Sequence, residues 1–253
     1  RVATVLLGFG LLIIGIPLST VARARPEPYG YMPDGAMQQT GLSSESGSVP
    51  GFVAGRIKGF TVRDALATRV FWVIVALFAM MFVGISGLMV HLIPLLEDMG
   101  YSPARAASIL GLMFLLSGIG RVGCGFLIDL IDYRLVLGVL IFLQMIGMLL
   151  LFLVGPEDSW LVVLFALIFG IGFGGTIPLR PFLIMEIFGG RAFGALQGLV
   201  QVGAIGAGVI GPVFYGWIFD TTGSYQIAIV ATMATVLCTV PLTLMLKRSD
   251  AYS

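Results

Sequence analysis

The chain has 253 residues, 58% of them hydrophobic and 11% charged, with a mean hydropathy of +1.05. That composition excludes a soluble globular domain and places the chain in a membrane. Fourteen Lys and Arg against 13 Asp and Glu leave a net charge of +1, so no basic face is available for nucleic acid.

Val2 to Leu18 is an apolar run just long enough to span a bilayer, and it follows Arg1 rather than Met. Residues 1–18 are therefore read as the truncated last helix of a preceding bundle. A signal peptide is the competing reading, but only one positive charge precedes the run and no small-x-small cleavage site ends it. Residues 19–69 include TGLSSESGSVPG, rich in Ser and Gly and without hydrophobic period. The segment reads as a flexible linker between two membrane bundles.

Six further apolar runs follow, at about 70–96, 104–128, 133–154, 159–183, 193–219 and 226–246, each near the ~20 residues a spanning helix needs. The interruptions are short and carry helix-start chemistry. Thr61-Val-Arg-Asp64 is a capping-box pattern, Ser102-Pro103 sets an N-cap before a first-turn proline, and Ser159 and Ser224 are expected to cap later helices. One side of the spans collects Arg23, Arg25, Arg56, Lys58, Arg63, Arg69, Arg134, Arg191, Lys247 and Arg248. The other holds Glu97, Asp98, Glu157, Asp158 and Asp220, with Arg105 its one basic residue. Lys and Arg stay on the cytoplasmic side, so the segment 19–69 and the tail 247–253 are expected to be cytoplasmic, with six helices between them.

Polar residues inside the runs are few. Arg121, in SGIGRVGCGFLIDLIDYR, lies about eight residues before Asp129 and so roughly 12 Å inside the helix end. Burying an arginine at a helix centre costs about 2.5–3.5 kcal/mol on insertion scales, and such residues face a bundle interior, an ion pair or a watery path. Every Asp and Glu here lies at a helix end or in a loop, so the neutraliser is either a carboxylate from elsewhere in the protein or a substrate anion. Gln197 and Gln201 stand one helical turn apart and point the same way; they line a cavity or bond helix to helix. His91, the sole histidine, is a candidate for proton coupling because imidazole is the side-chain type whose charge changes nearest neutral pH, set against an interfacial placement. Arg180, between Pro178 and Pro181, either guards the inner mouth or snorkels to the interface.

Gly118-Ile-Gly120-Arg-Val-Gly123 and Gly206-Ala-Gly208-Val-Ile-Gly211 satisfy G-x-G-x-x-G, but neither follows a strand, and a nucleotide role fails. They read as helix-packing glycines, as do the four-residue repeats Gly194/Gly198, Gly170/Gly174 and Gly203/Ala207/Gly211. Cys124 and Cys238 lie in separate runs with no metal or disulfide spacing. No catalytic constellation, cofactor motif, metal set or phosphate loop is present in the sequence, so an enzyme is not expected.

Four strings carry a resemblance: RPEPYGYMPDG at 25–35, FTVRDALATRVFW at 60–72, HLIPLLEDMGYSPARAASILGL at 91–112, and the long run from Gly174 to Tyr225. In this order they resemble the major facilitator superfamily, in its monocarboxylate-transporter-like and oxalate/formate-antiporter-like branch. The resemblance implies an all-α membrane protein of the major-facilitator type, here one helix (1–18) from the N-terminal half, a central cytoplasmic loop (19–69), and the six-helix C-terminal half (70–246). It implies alternating access to a small organic anion, with H+ or a counter-anion as co-substrate, in a plasma or inner membrane, and with an N-terminal helix bundle as structural partner. The family's gate-loop signature survives as Gly125, Asp129 and Arg134, while Leu130, Asp132 and Tyr133 depart from it; helix capping by the two aspartates is the competing reading. An eighth-helix arginine implicated in holding carboxylate matches Arg121, and the family's acid one turn earlier is Ser117 here. The antiporters' eleventh-helix lysine is missing, which favours a monoanion over a dianion. A transport-inactive, carrier-like receptor or assembly partner is the alternative, kept open by the altered loop and by Ser117.

Overall fold

The computed structural model describes residues 59–155 and 158–246, together with Phe9, Leu12, Ile13, Ile16 and Pro17. Those five are helical; the rest of the expected first helix, the linker up to residue 58 and the tail 247–253 lie outside the described residues, with Arg23, Arg25, Arg56, Lys58, Lys247 and Arg248. The chain divides into units 1–52 and 53–253, and the second of these holds all the helices labelled below.

The capping box at Thr61 and Asp64 opens a one-turn helix, α1 (Val62–Leu66), rather than the first span. Thr68 starts that span instead, its Oγ1 accepting the Phe71 N–H at 3.3 Å at the head of α2 (Arg69–Asp98). Ser102 caps α3 (Pro103–Leu130) with Pro103 in the first turn, and Asp132 caps α4 (Tyr133–Leu153) through the Arg134 N–H at 2.8 Å. The expectation for Ser159 needs correction. It is the first residue of α5 (Ser159–Phe188), and Asp158 holds the cap position with its carboxylate turned back to the Gly155 N–H at 3.2 Å. Ser224 does accept a first-turn N–H, that of Gln226 at 3.3 Å.

The fifth and sixth spans, Phe193–Thr222 and Gln226–Met245, are each broken once. α6 (Phe193–Gly208) and α7 (Ile210–Thr222) meet at Val209, and α8 (Gln226–Leu237) and α9 (Thr239–Met245) meet at Cys238. Each break lies three residues before a proline, Pro212 and Pro241, whose ring removes a donor from the ladder. The carbonyl that Pro212 leaves without its helical N–H belongs to Gly208, and Ser86 Oγ on α2 donates to it at 2.7 Å. At the far end of α7, Gly223 adopts φ 64° and closes the helix through its N–H to Phe219 O at 2.8 Å, a left-handed cap that favours glycine.

Glycines set how the spans pack. A methyl group at Gly170 or Gly174 would overlap the α3 backbone at Met113 and Ser117, and one at Gly175 would press on Cys124 and Leu140. These contacts advance in step along both chains, so α3 and α5 run parallel with their backbones in contact. The opposite face of α5 meets α4, with Gly172 against Leu140, Leu143 and Gln144. α2 lies against α6 and α7, and α8 sits between α2 and α4. Gly194 and Gly198, read from sequence as packing glycines, border open space: a methyl group there would meet no described atom within 4 Å, and the same holds at Gly118, Gly123 and Gly206. Spacing alone does not show which helical face a neighbour covers. Many large apolar side chains are exposed, among them Leu115, Phe126, Val202 and Trp217, as expected where the surrounding solvent is lipid.

Candidate functional site

Arg121 is exposed, on a span whose buried residues include Met113, Ser117, Gly120 and Cys124. At about 100° per residue it stands some 70° round from the seam with α5, on the shoulder of the helix. It has no hydrogen bond or ion pair with any described residue. Ser117, one turn earlier, is buried, and its hydroxyl donates to Phe114 O at 2.7 Å. That hydroxyl is committed to its own helix, and its backbone lies against Gly174.

Arg180 sits on α5 at nearly the same depth, about 12 Å from the Phe188 end, as Arg121 does from the Leu130 end. It lines a cavity of about 220 Å³ between α2, α5 and α6, with Gln201, Thr176, Phe78, Phe82 and Phe173. Its Nε is buried without a hydrogen-bond partner. Thr176, one turn before, donates its hydroxyl to Phe173 O at 2.7 Å, leaving Arg180 and the Gln201 amide as the free polar groups of the lining. Gln197 lies one turn from Gln201, and its Oε1 is likewise buried and unpartnered.

At the opposite end, His91 is part of a ring cluster. Nδ1 lies 3.3 Å from Tyr225 Oη and Nε2 lies 3.1 Å from Pro212 O, while Tyr215 stacks on the imidazole at 5.8 Å and 26°. Tyr215 Oη pairs in turn with Thr232 Oγ1 at 2.7 Å. His91 thus ties α2 to α7 and to the start of α8. Burial pushes the Tyr225 phenol above its ordinary value, assisted by the Asp98 and Asp220 carboxylates, so it keeps its proton. The sequence marks His91 but not its partners, which lie more than a hundred residues away in the chain.

The residues expected from sequence to form the gate loop lie around the end of α3. Asp129, Asp132, Tyr133 and Glu186 line one cleft, and the Tyr133 hydroxyl is buried without a partner. Gly125 is exposed with nothing near it. Arg134 is half-buried over the Tyr133 ring at 5.7 Å, its Nε unpartnered. Glu186 was not singled out by sequence, because its placement beside the two aspartates depends on the parallel α3/α5 register.

Among the described residues six helices are long and apolar enough to cross a membrane, from Arg69–Asp98 to Gln226–Met245. That architecture, with paired spans and an all-helical bundle, defines a multi-pass membrane protein, and the chain belongs to the Major Facilitator Superfamily, whose family profile matches residues 1–205 and 94–252. Within it the chain sits with the monocarboxylate-transporter-like branch, a family of transporters rather than of enzymes. It is 33% identical to monocarboxylate transporter 13 of Rattus norvegicus over 150 residues, 58% of this chain and 35% of that protein. It is 27% identical to monocarboxylate transporter 2 of Homo sapiens over 148 residues, 58% of this chain and 31% of that protein. The chain therefore spans about a third of the length of these relatives. In fold it is similar to a variant of the fucose:proton symporter of E. coli, with TM-score 0.60 and 19% identity over 75% of this chain and 46% of that one.

Proposed function

We propose that the protein is a secondary carrier that moves a small, monocarboxylate-like organic anion by alternating access, H+ or a counter-anion being the co-substrate. The observation that carries the reading is Arg121, a guanidinium set about nine residues inside a spanning helix with no ion pair to any described residue. A planar fork of donors suits bidentate carboxylate binding better than a lysine would. Gln201, and Gln197 one turn away, supply further hydrogen bonds, and His91 is the candidate for proton coupling. Residues 19–69 link two bundles, 70–246 form the second of them, and Gly125, Asp129 and Arg134 belong to the gate loop that meets the N-terminal bundle. The end bearing Arg63, Arg69, Arg134 and Arg191 faces the cytoplasm of a plasma or inner membrane.

Uptake of radiolabelled lactate, pyruvate and related monocarboxylates into proteoliposomes tests the reading. Uptake above empty vesicles supports it, whereas none across a broad panel would leave the transport-inactive receptor. Arg121→Ala is expected to abolish anion binding while expression is retained; unchanged affinity would remove Arg121 from the site.

A further inference from the structure

We infer that the cavity between α2, α5 and α6 is a carboxylate subsite built for a cargo with an aromatic or branched apolar body, with Arg180 as its anion-binding group; the inference rests on the anion-carrier reading. Three observations carry it. The first is the buried, unpartnered Nε of Arg180. An arginine that merely snorkels keeps its donors in water or among headgroups, whereas this one withdraws an N–H into the protein and shares its cavity with a second donor, the Gln201 amide. The second is the wall chemistry. Phe78, Phe82 and Phe173 line the same cavity, and Phe78 is only 6% exposed. Met81, Ile85, Ile177 and Ala204 complete the apolar wall, and pockets of this composition, mostly apolar with few polar groups, bind an apolar body and use the polar groups to orient it. The third is size. An apolar cavity of about 150 Å³ holds a benzene ring, so one of about 220 Å³ takes a ring with a short acid tail.

The cargo this selects differs from the smallest monocarboxylates. Pyruvate would meet the guanidinium but leave the phenylalanine walls uncovered. Phenylpyruvate or 4-methyl-2-oxopentanoate would place the same carboxylate and cover the walls as well. Adding an apolar group that fills a fitted pocket is worth about tenfold or more in discrimination.

Calorimetric titration of the purified, reconstituted protein with phenylpyruvate and with pyruvate tests the inference. Phenylpyruvate is expected to bind at least about tenfold tighter. Arg180→Gln is expected to weaken phenylpyruvate by a similar factor, and Phe82→Ala to reduce the preference between the two probes toward unity. Thermal unfolding checks that each variant is folded, and if Arg180→Gln is not, Phe82→Ala and Arg180→Lys decide. Equal affinities for the two probes, or phenylpyruvate affinity unmoved by the Arg180 and Phe82 changes, would overturn the subsite while leaving the carrier reading standing. Binding of neither probe, with no monocarboxylate uptake, would sink both.

Discussion

His91 Nε2 faces the Pro212 carbonyl, which can only accept, so the neutral ring carries its proton on Nε2 and leaves Nδ1 to accept from the Tyr225 hydroxyl. The assignment follows from the partners and not from observed hydrogens. Protonation turns Nδ1 into a donor and obliges Tyr225 to accept and re-aim its own proton. A double-mutant cycle of His91→Ala and Tyr225→Phe is expected to return a coupling of about 1 kcal/mol in thermal unfolding; additive effects would show that the 3.3 Å contact carries no energy. At this scale the sequence showed which residues were chemically unusual, but not their surroundings. Arg121, Arg180 and His91 stand out in any apolar run, whereas Tyr225, the cavity walls around Arg180 and the inward turn of Ser117 depend on packing between distant segments.

Within the elements, local chemistry accounts for the starts and breaks. The Asp64 carboxylate is held below its ordinary value by the Thr61 hydroxyl and backbone N–H, with Arg191 and Arg63 adding to the effect. A depressed carboxylate stabilises the fold in full above the ordinary value of about 4 and loses that contribution as pH falls through the lowered one. Protection of the Asp64 amide against hydrogen exchange should therefore hold from neutral pH down to about 5 and fall in stronger acid; in Asp64→Asn that pH dependence should vanish. The Pro212 break has its own test. Ser86→Ala leaves the Gly208 carbonyl without its donor and should cost about 1–2 kcal/mol, and Pro212→Ala, which restores a backbone N–H, should recover part of the loss in that background. The parallel seam predicts a contrast between two glycines on neighbouring helices. Gly174→Ala forces a methyl into the Ser117 backbone and should cost about 1–3 kcal/mol, while Gly118→Ala meets open space and should be neutral or stabilising by up to about 1 kcal/mol. Span ends were legible to within a few residues because hydropathy and caps are local. The packing role expected of Gly194 and Gly198 was not legible, since a four-residue repeat marks a helical face without showing what covers it.

Across the whole bundle, polar groups are few and mostly kept within their own helices. Ser117, Thr176, Thr239 and Thr243 are buried, and each hydroxyl returns to a carbonyl three or four residues back. Such residues leave helices free to slide without stranding a donor in hydrocarbon. Gln144 and Thr232 are the exceptions: Gln144 is fully buried with its amide nitrogen 3.4 Å from Gly172 O and its Oε1 unpartnered, which fastens α4 to α5, and the Thr232 hydroxyl pairs with Tyr215 Oη, which joins α8 to α7. The bundle thus combines a close-packed α3/α5/α4 block with two spans broken at prolines. The second of those breaks has a practical side. Cys238 lies at the discontinuity between α8 and α9 and is exposed, while Cys124 is shut in the seam where α3 meets Gly175. A thiol-reactive, membrane-permeant spin label should therefore attach to Cys238 and spare Cys124, giving the unaltered bundle a ready-placed reporter on the bend of its last span.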